Sequence, residues 1–257
     1  MRPTESEFNR EEHRPTNGEP TPGGRYYNKR NASEVAEGIA AFWGCSVFQA
    51  RAGLKLTTDA IVDLTIASRN LMLTGVGAWT IRERAVYCDP FSDRTNATPE
   101  IRTFVHFSPS KILTEVLNSP LSRRSIELAR VAPENTAQPF ERVWTMPLPK
   151  TNVLHRVERS GKATLCDLYE LMASRGMITE RVAQNFMLGL KAVIRETLAE
   201  RTSVQLSGFG AFKIRDLAPR EGRNPHSGEA MIIPARRKIQ FKPSDAFRER
   251  AAEVGEL

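Results

Sequence analysis

The sequence has few cysteines and no long hydrophobic run. Its three cysteines lie far apart without CxxC spacing, so we expect reduced thiols and no disulfide framework. The sequence contains no run of about 18 apolar residues, which is the length that a membrane span needs. The N-terminus is polar and acidic, whereas a signal peptide would be basic and then apolar. The sequence therefore predicts no membrane contact and no secretion by the usual route.

The sequence also lacks the compact motifs that hold metals, phosphates or activated nucleophiles. Its four histidines are dispersed, and no His, Cys or carboxylate group has metal-ligand spacing. No phosphate-binding glycine loop and no GxSxG motif occurs. The sequence therefore predicts a protein that is not an enzyme, with no metal or other cofactor and no small-molecule substrate.

The chain does have length and positive charge. Its 257 residues carry 37 Lys and Arg against 30 Asp and Glu, a formal net charge of +7. Hydrophobic residues make up 40% of the chain and charged residues 26%, which are ordinary values for a globular protein. A chain of this length can bury a substantial core, and its ordinary composition argues against wholesale disorder.

One unit occurs twice in the chain. LMLTGVGAWTIRER at 71–84 superposes without a gap on VQLSGFGAFKIRDL at 204–217, so that position 71 is equivalent to position 204. Each copy contains a glycine corner, GVG at 75–77 and GFG at 208–210. Apolar residues recur at helical spacing before each corner, and strand-like alternation surrounds it. Each unit is therefore predicted to contain two helices, strands around the glycine corner and a short final helix, which makes the chain an α+β protein.

The repeat divides the chain into four parts. Residues 1–31 are polar with few large apolar groups, so we expect a disordered tail. Residues 32–118 form the first unit and residues 164–257 the second unit. Between them, residues 119–163 contain five prolines with little periodicity, which predicts a linker.

The two units differ most in charge beyond the glycine corner. In the second unit, residues 213–242 hold eight Lys and Arg against three acidic residues, whereas the matching residues 82–104 of the first unit hold four of each sign. A cluster of like charges on one segment favours a polyanionic partner. If these segments touch a polyanion, the second is suited to it and the first is not.

Residues 208–243 resemble the arm region of the HU and integration host factor family of bacterial DNA-bending proteins. The shared motifs stand in the family's order and spacing: GFGAF at 208–212, GRNPHSGE at 222–229, IPA at 233–235 and FKP at 241–243. The resemblance covers roughly 164–253, and it extends to 32–118 through GVGAW, the helix pattern and FSPSKIL. The first unit lacks GRNP and IPA, so its arm is degenerate.

The resemblance implies two tandem HU-like units, each with a helical base and a three-stranded sheet that extends into a β-ribbon arm. Its expected partner is double-stranded DNA, bound in the minor groove and bent with little sequence preference, in a nucleoid or a viral genome. Pro225 would be the wedge that enters a base step. The residues expected to contact DNA are Lys213, Arg215, Arg220, Arg223, Asn224, Pro225, Arg236, Arg237, Lys238 and Lys242.

Two questions stay open at this level. The units could pair with each other within one chain as a pseudo-dimer, or the second units of two chains could pair and restore two complete arms. A different function is a structural or adaptor protein that uses the HU-like fold for protein assembly in a virion or nucleoprotein complex.

Six residues near the glycine corners are predicted to lie in the core rather than to stack on bases: Val76, Trp79, Phe107, Phe209, Phe212 and Phe241.

Overall fold

The computed structural model of the protein describes residues 28–86, 100–118, 152–223, 226 and 228–253. It confirms the α+β class. The helices are α1 (Ala32–Trp43), α2 (Val47–Ser68), α3 (Lys111–Asn118), α4 (Val153–Ser160), α5 (Leu165–Gly176), α6 (Glu180–Ala199) and α7 (Asp245–Glu253). The strands are β1 (Lys29–Arg30), β2 (Asn70–Leu73), β3 (Gly77–Val86), β4 (Glu100–Pro109), β5 (Ser203–Leu206), β6 (Gly210–Leu217), β7 (Arg220–Arg223), β8 (Ala230–Ile233) and β9 (Arg236–Pro243).

The helices of the two units begin with matching caps. Asn31 accepts backbone N–H bonds at the start of α1, and Thr164, at the equivalent position of the repeat, does so at the start of α5; each cap is completed by an acidic residue three positions on. Ser46 caps α2, and the equivalent Thr179 caps α6. The repeat seen around the glycine corner therefore extends back through both helices.

The strands form two antiparallel sheets of the same design. Their orders are β2-β3-β4 and β5-β6-β9, and the short β1 adds to β5 in parallel. Gly77 lies opposite Pro109, and Gly210 lies opposite Pro243. A Cβ built on Gly210 would stand 2.5 Å from the carbonyl oxygen of Lys242, which is too close for any side chain. Glycine is therefore needed where the chain turns into the ribbon.

Both units share one hydrophobic core. The ring centroid of Trp79, in the first unit, lies 4.8 Å from that of Phe107 in the same unit. It lies 5.6 and 5.8 Å from the ring centroids of Phe209 and Phe241 in the second unit. Of the six predicted core residues, five are buried, and Phe107 is half-buried against the cluster. The prediction that these groups pack in the core is confirmed.

A buried ion-pair cluster also joins the units. Asp63, on α2 of the first unit, is only 8% exposed. Its two carboxylate oxygens accept hydrogen bonds from Arg175 at the end of α5 and from Arg250 in α7, both in the second unit. Each oxygen of this carboxylate thus has a cationic partner, which makes its burial acceptable.

The structure differs from the sequence analysis in two places. Lys29 and Arg30, assigned to the tail, form β1 beside β5, and residues 1–27 lie outside the described part of the chain. Helix α4 lies within the segment assigned to the linker, because Val153 and Val157 are one turn apart and are both buried.

Candidate nucleic-acid interface

The base of the second ribbon, formed by β6 and β9, presents one apolar and one basic face. Side chains alternate along each strand. Phe212 and Ile214 point into the core opposite Phe241 and Ile239. The residues between them point the other way, and the exposed cations on that face are Lys213, Arg215, Arg236, Lys238 and Lys242. These five of the ten predicted contact residues therefore share one surface, which we call the basic face.

Two cations on the basic face lie directly opposite each other. Arg215 pairs with Lys238 in the β6–β9 register, and Lys213 and Lys242 follow on the same face toward the glycine corner. Like charges at opposed positions of an antiparallel pair destabilise a sheet. An anion that lies across the two strands relieves this repulsion, and phosphate oxygens are common partners of Arg and Lys side chains.

Arg237 does not belong to the basic face. It lies opposite Asp216, on the same side of the ribbon as Ile214 and Ile239, and its Nε is 3.3 Å from the Asp216 carboxylate. Charge counting along the sequence placed it with its neighbours. The period of two along a strand separates it from them, because residues 236 and 238 point away from residue 237.

The first unit holds the edge of the second ribbon. The side chain of Asn118, the last residue of α3, accepts a hydrogen bond from the backbone N–H of Arg237 at 2.8 Å and donates one to its carbonyl oxygen at 3.1 Å. This pair of bonds imitates a neighbouring strand on an otherwise open edge. The position of β9 is therefore fixed from both units.

The outer part of the ribbon is a separate pair of strands, β7 and β8. The register continues unchanged from the β6–β9 pair, so Pro219 lies opposite Pro234 where the hydrogen-bonded ladder stops. Proline lacks the N–H that the ladder needs, which explains the interruption. Arg220 and Arg223 are both exposed on β7. The predicted tip residues Asn224 and Pro225 lie outside the described residues.

A groove lies between the second ribbon and the first ribbon, which is formed by β3 and β4 of the first unit. It has a volume of about 520 Å³ and is lined by Val105 and His106 of β4 and by cations of the second ribbon, namely Arg215, Arg220, Arg236 and Lys238. Partial burial, then the positive charges of Arg82, Lys238 and Arg84, lower the pKa of His106 below its ordinary value of 6.5. The positive potential therefore spans both ribbons.

The first ribbon also contributes to this surface, although its charge count along the sequence does not indicate it. Arg82 and Arg84 are exposed and share a face of β3, whereas Glu83 points to the other face and pairs with Arg69. Equal counts of acidic and basic residues concealed this separation. The Arg-Glu-Arg alternation within a predicted strand is the signal that would have shown it.

Metal-ligand clusters and membrane-spanning helices are absent from the part of the chain that the structure describes. No cluster of three or more His, Cys, Asp or Glu side chains could hold a metal ion there. Within the same residues, no helix has the length and apolar character needed to cross a membrane.

Comparison with known proteins identifies the second unit. Residues 163–252 match the family described as bacterial DNA-binding protein, and the first unit lies outside that match. Integration host factor subunit alpha of Bordetella avium (strain 197N) is 40% identical over 92 residues, which are 36% of this chain and 79% of that protein. The same subunit of Marinomonas sp. (strain MWYL1) is 34% identical over 93 residues, 36% of this chain and 95% of that protein.

Among solved structures, the Anabaena HU–DNA cocrystal structure shares 33% sequence identity, with 35% of this chain and 98% of that chain covered and a TM-score of 0.33. Members of the matched family are typically non-enzymatic DNA-binding proteins. Through residues 163–252, this chain belongs to the bacterial DNA-binding protein family that includes HU and integration host factor.

Proposed function

We propose that this protein binds double-stranded DNA with little sequence preference and bends it, as an architectural component of a nucleoid or of a packaged viral genome. The second ribbon supplies the main contacts by following the minor groove. No covalent chemistry is involved. The family of DNA-binding proteins that residues 163–252 match, and the relatives named integration host factor, support this proposal.

The observation that carries this proposal is the basic face of the second ribbon. Arg215 and Lys238 stand directly opposite each other with no acidic side chain between them in the register. The exposed cations continue along both strands and border the groove toward the first ribbon. A surface of this kind gains most from a partner that carries phosphates at regular spacing, because each contact releases condensed counterions.

We further propose that the two units act as the two halves of a dimer within one chain. Their sheets lie over a shared aromatic cluster around Trp79, so both ribbon bases face the same bound duplex. The first ribbon contributes Arg82 and Arg84 at its base. The second contributes the complete arm, so the complex is asymmetric.

At the tip of the arm, Pro225 is the proposed wedge. An apolar residue inserted at a base step partly unstacks it, which costs a few kcal/mol and is offset by phosphate contacts that a bent duplex permits. P225A should therefore reduce the bend angle more than the affinity. R223A should reduce both the affinity and its salt dependence, because it removes a cation and leaves the wedge in place.

The test is energy transfer between dyes at the two ends of a duplex of about 35 base pairs, long enough for a kink near its centre to bring the ends together. The full chain is titrated at two salt concentrations, and P219A, another ribbon proline, serves as the control for P225A. We expect bending that saturates at one chain per duplex and weakens with salt. An unchanged bend angle in P225A would refute the wedge. Absence of both binding and bending at low salt would replace the proposal with a role in protein assembly.

A further inference from the structure

Equivalent positions of the repeat play the same part in the two units. The alignment that places position 71 on position 204 also superposes the helix caps. It also superposes the C-cap residues that follow the first helix of each unit, Gly44 and Met177, which both have a left-handed backbone. Two equivalent units that pack about an approximate twofold axis bring equivalent positions together at that axis. Every contact away from the axis then occurs in two versions.

At the axis, one position is a glycine and its equivalent is a phenylalanine. Gly53 of α2 and Phe186 of α6 are equivalent in the repeat, and they are in contact. A Cβ built on Gly53 would lie 2.0 Å from Cε1 of Phe186, so the ring lies directly against the glycine backbone. Phe186 is 5% exposed. The space at the axis therefore holds one aromatic ring.

Beside the axis, a second contact occurs in two versions. Trp43 lies on Gly189, where its Nε1 is 2.6 Å from the built Cβ position, and Leu56 lies on Gly176, where its Cδ2 is also 2.6 Å away. Position 43 is equivalent to 176, and position 56 is equivalent to 189. In both versions the first unit supplies the large side chain and the second unit supplies the glycine.

From these three contacts we infer that the second unit accepts the first unit of its own chain and excludes another copy of itself. Two second units would bring Phe186 against its own copy and would leave a void wherever Gly176 meets Gly189. Overpacking and cavities both destabilise a core. The inference rests on the intrachain pairing proposed above and names the side chains that select it.

Pairing of two first units is disfavoured by the opposite defects. Trp43 would press against Leu56 in both versions of the flanking contact, and Gly53 would face its own copy across an empty space. Only the mixed pair fills the axis once and each flanking site once. The chain between the units then keeps the correct partner at high local concentration.

The axial contact is tested by exchanging its two side chains in the full-length protein. G53F and F186G should each lower the Tm by about 10 °C, because one overfills the axis and the other empties it. G53F/F186G returns one ring to the axis from the other helix and should recover more than half of the combined loss. F48G is the matched control, since Phe48 is 81% exposed on α2. Losses that simply add in the double variant, or an F186G effect no larger than that of F48G, would overturn the inference.

Selectivity is tested by sedimentation without DNA. The wild-type chain should keep the mass of one chain, 28.8 kDa, at every concentration. In a pair of second units, G176W/F186A removes the collision between the two Phe186 rings and places a large side chain opposite Gly189. We therefore expect the sedimenting species of this variant to have the mass of two chains. A wild-type chain that associates, or a folded variant that stays single, would overturn the inference. If this variant fails to fold, the exchange variant decides alone. Because DNA is absent, failure here is separate from failure of the DNA-bending proposal.

Discussion

Replacing the opposed cations Arg215 and Lys238 with glutamine should flatten the salt dependence of DNA binding. Each cation that neutralises a phosphate contributes about 0.9 to the slope of log K against log salt concentration. R215Q/K238Q should therefore reduce the slope by about 1.8. The affinity deficit of the variant should be about ten times smaller at about 200 mM than at about 50 mM salt.

The matched control lies one residue from Lys238. Arg237 carries the same charge on the same strand, but it points to the opposite face and is paired with Asp216. R237Q should leave the slope unchanged, whereas R215Q alone should lower it by about 0.9. Fluorescence anisotropy with a labelled duplex at several salt concentrations measures both slopes directly.

The comparison between these single variants decides the assignment of faces. If R237Q lowered the slope as much as R215Q does, DNA would contact both sides of the ribbon, and the argument from strand alternation would be wrong. If neither variant changed the slope, the opposed cations would not touch phosphates. The basic face would then require a partner other than DNA.

Two further predictions concern the shared core and the groove. D63N leaves two half-exposed arginines of the second unit without their carboxylate and should lower the free energy of unfolding by about 2 kcal/mol in urea titrations; D59N, which loses only an exposed pair within α2, should lower it by less than about 0.5 kcal/mol. Because partial burial and neighbouring cations lower the pKa of His106 and bound phosphates would raise it, complex formation should take up a proton, so affinity should rise as the pH falls and level off only below 6.5, where the free protein also binds the proton. In an H226Q background, H106Q should abolish that rise in binding titrations; a rise that persists would show that His106 is not near the bound phosphates.

Much of the second unit could be predicted because its sequence patterns are local. The glycine corner, the strand alternation and the two helices each depend on neighbouring residues, and the structure forms them where the patterns indicate. The aromatic core around Trp79 was also predicted, since large apolar groups beside glycine corners have few other places to go. The tip residues Asn224 and Pro225 stay a prediction, as they lie outside the described residues.

The features that sequence reasoning missed depend on partners far along the chain. The strand β1 is stabilised by pairing with β5, which belongs to the second unit, and nothing in the Lys-Arg sequence of β1 indicates this. The separation of Arg237 from the basic face required strand alternation to be applied to charges as well as to apolar residues. Gly176 makes room for Leu56 of the other unit because it has no side chain, and no local pattern around Gly176 indicates that contact.

The tandem arrangement explains how the sequence of the first ribbon can lack the GRNP and IPA motifs while the shared core is intact. In a dimer of identical chains, every substitution appears in both arms and on both sides of the axis. When both units belong to one chain, the axis can hold Phe186 against Gly53, and the ribbons can differ in sequence without any change in the core beneath them. The shared aromatic cluster and the Asp63 contacts fix how the ribbon bases sit. The core therefore constrains the pairing of the units, and the outer parts of the two arms are free to differ.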